Sequence, residues 1–498
     1  MMFEKMKKLV SCCLLIMLFV CGVYLTKAYA AEFSDALPIQ VNEIITGSVT
    51  KGYNYEQNYY MFTLEASGSV TIHFENPIQD SSDECWEVTL YDEAHHVLVS
   101  RDMKGNYTSH NCVSTGVPTG TYYVKVTSTH SYSAKSTDMY SFSVNYTMSD
   151  TWEKELNDSF LAATQVRPNV SYSGTTCRGY DYDPDYYYVE LEEAGSLTVN
   201  FSNPLQGHTS ECWTVSLYNE SYGKMYSQYI YGNAASTNLP AMGLDAGKYY
   251  VLVESTNSYS ARSTDVYDLT LNFTPSDMWE KEDNESFKTA TPIEAEKVYY
   301  GTTCRGYDYE KDYYSINIPA SGTYNIQFDA PDQNSTDRFW DVHLYDSSYQ
   351  EIASMDVYGN GATQRITKML AADTYYIRIS SCNSYSAKST DIYELTVTKY
   401  VFNPIKPKKV TLVSAKAGNN MAVLSWKKVS GASGYEVYMS RSKSGGYKRI
   451  RTLSATSYKK KGLTRGQRYY FKVRAYQYGA DGRKVNGSFS NVKSVLVK

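Results

Sequence analysis

Apolar side chains recur at every second position along most of this chain. In GSLTVNFSN, residues 195–203, Leu197, Val199 and Phe201 alternate with polar neighbours; in GKYYVLVES, residues 247–255, Tyr249, Val251 and Val253 do the same. A period of two puts alternate side chains on opposite faces of a strand, so one face is buried and the other wet. Such runs are bounded by clusters of Gly, Asn, Asp and Ser, and no stretch carries the 3.6-residue period of a helix. Regular short strands with turn residues between them predict an all-β chain of tandem antiparallel sandwiches.

The strands come in sets. KGYNYEQNYYMFTL at 51–64, RGYDYDPDYYYVEL at 178–191 and RGYDYEKDYYSINI at 305–318 are one segment in three versions. ECWEVTLYD at 84–92, ECWTVSLYN at 211–219 and RFWDVHLYD at 338–346 are another. The loop SYSAKSTDMY at 131–140 returns as SYSARSTDVY at 258–267 and SYSAKSTDIY at 384–393. The period, about 126 residues, is the size of a domain and far longer than the units of a solenoid. A different module follows Pro404-Ile405-Lys406-Pro407. There Tyr435, Val437 and Met439 alternate in GYEVYMS, and Tyr470, Lys472 and Arg474 mark the polar edge of YYFKVRAYQ. The expected domains are 31–150, 151–277, 278–402 and 403–498.

Charge separates the last module from the rest. Residues 406–498 hold 22 Lys+Arg against two acids, Glu436 and Asp481, whereas residues 31–405 hold 22 basic against 50 acidic residues. A basic module of this kind can hold anionic wall polymers, fold back on the acidic repeats, or simply be well solvated. At the other end, Lys5, Lys7 and Lys8 precede an apolar stretch from Leu9 to Val23, and Ala28-Tyr29-Ala30 follows. That stretch is short for a membrane span of about 20 residues. Residues 1–30 read as a signal peptide, the alternative being an uncleaved anchor. The chain is expected to be extracellular, secreted or cell-surface associated, with no membrane span after cleavage and no nucleic-acid partner. Three of the nine cysteines leave with that segment. The other six fall two to a repeat, so an exported chain would pair Cys85–Cys112, Cys177–Cys212 and Cys304–Cys382.

The acids that open RGYDYDPDYYYVEL admit three readings: a catalytic pair, a metal loop, or solvated turn residues. Upstream of the second and third versions stand WEKELNDSF, 152–160, and WEKEDNESF, 279–287. Glu-x-Glu-x-Asn-Asp/Glu followed by Asp-x-x-x-Asp-Tyr-Tyr resembles the bacterial pre-peptidase C-terminal domain, the family that includes the collagen-binding domains of clostridial collagenases. The resemblance covers residues 35–402 and implies three jelly-roll-like sandwiches. In calcium-binding members the acidic linker and the Asp loop bind the ion together. Carried over, this implies Ca²⁺ ligands at Glu153, Glu155, Asn157, Asp158, Asp181, Asp183 and Asp185 in the second module, and at Glu280, Glu282, Asn284, Glu285, Asp308 and Asp312 in the third. The first module has no such linker and has Asn54 and Asn58 in place of the aspartates, so no calcium is expected there. Calcium takes about 6–8 hard oxygens, which one short loop rarely supplies. In the last module Trp426 in VLSWKKV, and Leu463, Gly466 and Tyr469 spaced as a tyrosine corner, resemble a fibronectin type III domain over about ninety residues.

Collagen is not the expected ligand. Collagen-binding relatives have alternating tyrosines where Thr127 and Thr129, Glu254 and Thr256, Ser380 and Cys382 stand here. The repeated SYSA loop is either a trivalent binding loop, through Tyr132, Lys135, Asp138, Tyr259, Arg262, Asp265, Tyr385, Lys388 and Asp391, or a structural loop copied by duplication. Trp86, Trp213 and Trp340 share one strand position whose alternation fits core packing better than a sugar platform. HExxH, GxSxG and Walker patterns are absent from the sequence. The expected function is therefore non-catalytic. The chain reads as a monomeric adhesion protein for an extracellular matrix protein, glycan or anionic cell-wall polymer, or as a spacer or accessory subunit of a separate secreted hydrolase.

Overall fold

The computed structural model describes residues 32–48, 57–78, 82–128, 139–176, 183–255, 265–303, 310–382, 389–400, 405–479 and 482–498. Within them the chain is all-β, built of tandem sandwiches, and the one helical turn is a 3₁₀ segment, Phe33–Asp35. Among these residues no helix is long and apolar enough to cross a membrane. The chain forms two compact units: residues up to Glu282 with Gly301–Glu310, and Asp283–Tyr300 with Lys311–Lys498.

In the first unit the first repeat has two five-stranded sheets. One runs Leu37–Pro38, Gln57–Leu64, Gly120–Ser128, Glu84–Tyr91, Val97–Lys104. The other runs Ile44–Ser48, Met139–Met148, Gly68–Glu75, Ser109–Asn111, with Thr115–Val117 also on Gly68–Glu75. The second repeat has the same order, with Asp185–Leu191 beside Gly247–Ser255 and Gly195–Ser202 beside Tyr267–Pro275. Its core includes Tyr187, Val189, Leu197, Val199, Phe201, Trp213 and Val253, the residues the two-residue period selects.

The second unit repeats the pattern. Lys311–Ile318 pairs with Asp373–Ser381, and Gly322–Asp329 with Tyr393–Lys399. Its other sandwich packs a three-stranded sheet, Leu412–Gly418, Met421–Trp426 and Ser457–Lys461, with a five-stranded one. The latter runs Lys448–Leu453, Gly434–Ser440, Arg468–Tyr478, Lys484–Asn486, with Lys493–Leu496 also on Arg468–Tyr478. The tyrosine corner closes here: the Thr464 N–H donates to the Tyr469 hydroxyl at 3.2 Å.

Two features differ from the sequence reading. The sandwiches are not wholly antiparallel, because each repeat begins with a two- or three-residue strand paired parallel, as Thr164↔Tyr187. The linker enters along the same direction as the strand it meets. Secondly, each linker inserts a phenylalanine into an aromatic box. Phe160 lies 4.3 Å from the Tyr222 ring, stacked, with Tyr186, Tyr218 and Tyr250 edge-on at 4.8–5.2 Å. Phe287 does the same with Tyr349, Tyr313, Tyr345 and Tyr376, and Phe33 with His95, Tyr59, Tyr91 and Tyr123. Edge-to-face pairs contribute about 0.5–1.5 kcal/mol each beyond burial, so much of the tyrosine content anchors linkers to sheets.

The cysteine pairing of the first repeat is corrected. Cys85 and Cys112 are free, buried thiols. Cys85 lies on Glu84–Tyr91, whereas the Cys112 amide bonds to Ile72 in the facing sheet. Cys212 and Cys382 are also free and buried; their expected partners Cys177 and Cys304 lie outside the described residues. The three tryptophans are fully buried and present no platform for a sugar.

Candidate metal centre

The WEKELN linker is extended, so alternate side chains share a face. Glu153, Glu155 and Asn157 point inward, and Lys154 is exposed. A parallel bridge, Trp152↔Ser173, and the Glu153 N–H donating to Ser173 O at 2.9 Å hold the linker to the second sandwich. On the strand side the same two-residue period turns Asp183 and Asp185 inward with Tyr187. Two extended segments thus meet with their acids facing.

One carboxylate oxygen each from Glu153, Glu155 and Asp185 lie within 4.8 Å of one another, and so do those from Glu155, Asp158 and Asp183. Glu155 belongs to both groups, so five carboxylates make one continuous cluster. Four of the five are buried; Asp158 is at the surface. Glu153 accepts the Thr175 N–H at 3.0 Å and the Tyr187 hydroxyl at 3.4 Å. The Tyr267 hydroxyl donates to Asp185 Oδ2 at 2.6 Å and lies 2.7 Å from the Tyr187 hydroxyl.

Burial pushes the Glu153 carboxyl well above the usual carboxylate range, and Asp183 adds to the effect. Burial raises Asp185 likewise, helped by Glu153, Asp183 and Glu155. Neither forms an ion pair among the described residues. Asp185 Oδ1 and both amide atoms of the fully buried Asn157 have no hydrogen-bond partner. Buried polar atoms are normally satisfied, so orphaned oxygens beside crowded carboxylates fit a bound cation. The donors are all hard oxygens, the chemistry of Ca²⁺ rather than Zn²⁺.

The linker also grips the first repeat. The Glu155 N–H donates to Gly116 O at 3.1 Å, and the Thr175 hydroxyl to Ser114 O at 2.7 Å. A Cβ at Gly116 would collide with the Glu153 carbonyl oxygen, so the strand Thr115–Val117 needs glycine there. The cluster therefore sits on the segment that joins the two sandwiches of the first unit.

Other versions of the motif show which parts recur. In the first repeat Asn58 stands where Asp185 does, and its Nδ2 donates to the Tyr140 hydroxyl at 2.9 Å and to Ser48 O at 3.1 Å. Tyr140 pairs with Tyr60 at 2.8 Å. An amide thus occupies the acid's place with a reversed hydrogen bond. Asn54 lies outside the described residues. In the second unit the Tyr393 hydroxyl donates to buried Asp312 at 2.6 Å and lies 2.7 Å from Tyr314. Asn284 is buried and donates to Thr291 at 3.3 Å, while Glu285 is half-buried. In the first unit buried Glu280 accepts the Thr302 N–H at 2.7 Å, and the Glu282 N–H donates to Gly243 O.

Asp181 and Asp308 lie outside the described residues, as do Tyr132, Lys135, Asp138, Tyr259, Arg262, Tyr385 and Lys388 of the repeated loop. The loop aspartates that are described tie the loop to a distant segment: Asp265 accepts the Gln206 amide at 2.9 Å, and Asp391 the Gln333 amide at 2.7 Å. Sequence reasoning missed buried Glu310, which holds the place of Asp183 two residues before Asp312; the two-residue period is the signal that finds it. It also missed Tyr267 and Tyr393, the last residues of the repeated loop segment, whose hydroxyls reach the acids.

Residues 310–381 match the bacterial pre-peptidase C-terminal domain. The collagenase ColT of Clostridium tetani is 26% identical over 265 residues, which is 52% of this chain and 23% of that protein. The chain thus spans about a quarter of the length of that relative. Among solved structures, the pre-peptidase C-terminal domain of a collagenase from Bacillus anthracis is 20% identical, covering 22% of this chain and 94% of its own, with a TM-score of 0.17. A fibronectin type III-like protein from Clostridium thermocellum is 26% identical, covering 19% of this chain and 92% of its own, with a TM-score of 0.15. The chain is thus similar to part of a collagenase, and its residues 310–381 to the bacterial pre-peptidase C-terminal domain.

Proposed function

We propose that this chain is an exported, non-catalytic binding protein whose modules are held by calcium, and that it attaches to an extracellular matrix protein, glycan or anionic cell-wall polymer. The observation that carries the reading is the enclosed acid cluster at the linker of the second repeat. Four of its five carboxylates are buried behind backbone that also docks on the first repeat. An ion so enclosed has no open face for a substrate, and its work is to fix the joint between sandwiches. On this reading the first three sandwiches are pre-peptidase C-terminal modules and the last a fibronectin type III module, all of them surfaces for attachment rather than sites of chemistry.

Retention of the protein on matrix, mucin and cell-wall fractions, with calcium and then with chelator, tests this. Retention on one fraction that weakens in chelator is the expected result; no retention on any fraction refutes it. A second reading, an accessory subunit of a secreted protease, is favoured by the likeness to a collagenase over about half the chain. It predicts recovery only together with such an enzyme.

A further inference from the structure

The outer face of the five-stranded sheet in the last sandwich is lined by cations that outnumber their acids. Glu436, on Gly434–Ser440, turns outward yet is almost fully covered, because three cations converge on it. Arg449 donates to Oε1 at 2.6 Å, Lys484 to the same oxygen at 2.6 Å, and Arg474 Nε to Oε2 at 2.8 Å. Tyr438 adds a hydrogen bond at 3.1 Å. One carboxylate therefore fixes three positive groups and leaves two charges in excess. Lys472 extends the face, with its Nζ 4.0 Å from the Phe489 ring and 4.3 Å from the Tyr447 ring. Arg474 lies 5.0 Å from Phe489, and Lys484 4.0 Å from Tyr476.

Such crowding costs self-repulsion that an interleaved surface would avoid. What it supplies is pre-organisation. Lysine and arginine side chains lose much rotamer freedom when they are fixed by a ligand, and here carboxylate and rings have already removed part of that freedom. Cations held in fixed positions along a strand match a polymer with anions at intervals along its backbone. The rings carry cations over their faces, which disfavours stacking of nucleobases.

We infer that this face binds an anionic polysaccharide or polyol chain through its sulfate or phosphate esters, with Lys472, Arg474, Lys484 and Arg449 as the contacting cations. The inference rests on the attachment reading above and names one ligand class for the last sandwich; it does not involve the acid cluster.

The test uses the whole protein with heparin and with a poly(glycerol phosphate), measuring affinity against salt. Lys472→Gln and Arg474→Gln are expected to weaken binding several-fold each and to flatten the salt dependence by about one charge per substitution. Lys416→Gln, on the exposed side of the other sheet, removes the same charge and is expected to change neither. Melting curves establish that each variant is folded. If Lys416→Gln weakens binding as much as Lys472→Gln, or if single-stranded DNA binds more tightly than either polymer, the inference is overturned. Retention on a matrix fraction that survives both face substitutions would overturn it while leaving the attachment reading intact; no retention of the native protein anywhere would remove both.

Discussion

Replacing Asp185 with asparagine is expected to stabilise the protein in chelator and to weaken its response to calcium. Without the ion, Asp185 is a buried carboxylate crowded by Glu153, Asp183 and Glu155. An asparagine there removes one of five negative charges. The chain already contains that solution, since Asn58 donates to Tyr140 as an asparagine at 185 would donate to Tyr267. Relief of a crowded buried charge is worth on the order of 1–3 kcal/mol. A domain of this size gains roughly 4 °C of melting temperature per kcal/mol, so Asp185→Asn is expected to melt about 4–12 °C higher than the parent in chelator.

Calcium narrows that difference. At 100–1,000 times its dissociation constant the ion stabilises the parent by about 2.7–4.1 kcal/mol, or roughly 10–16 °C. Loss of one anionic ligand that weakens binding by about 10–100-fold removes about 1.4–2.7 kcal/mol of that increment. Calorimetry of parent and variant, each in EDTA and in calcium, resolves all four values. Identical parent curves in the two buffers, or a variant that gains as much from calcium as the parent does, would refute the reasoning and leave the cluster without an ion.

Three further outcomes follow from the same coordinates. Burial raises the Glu436 carboxyl, but hydrogen bonds from Lys484, Arg474, Arg449 and Tyr438 outweigh it and hold it at about 2. Its stabilisation is thus complete above the ordinary value of 4.5 and lost as pH falls towards about 2; Glu436→Gln should cost about 1–3 kcal/mol at neutral pH and abolish that acid-dependent step in melting curves. Gly116→Ala drives a methyl group into the Glu153 backbone and should lower calcium affinity by calorimetric titration, whereas Gly445→Ala, with open space around it, should not. Burial holds the Cys112 thiol at about 12 and raises Cys85, so peptide mapping after iodoacetamide should find both unlabelled in the native protein and labelled once it is unfolded; labelling in the native state would contradict their burial.

The sheets were legible in the sequence because a two-residue period is a local property: Leu197, Val199 and Phe201 face inward whatever they later touch. The acids were legible through the family resemblance, and the structure shows why they share a face: Glu153, Glu155 and Asn157 alternate along one extended segment, and Asp183 and Asp185 along another. What spacing cannot supply is the partner across the sandwich. Tyr267 is 82 residues from Asp185 in sequence, and Phe160 meets Tyr222 and Tyr250 only when the sheet is formed. The expected Cys85–Cys112 pairing was beyond spacing in the same way, because two cysteines per repeat says nothing about whether they meet across the sandwich; both are free thiols. The acid cluster is less exposed to that limit, because two short segments bring its carboxylates to one place, and a calcium ion taken up there would be held by oxygens whose spacing both segments set.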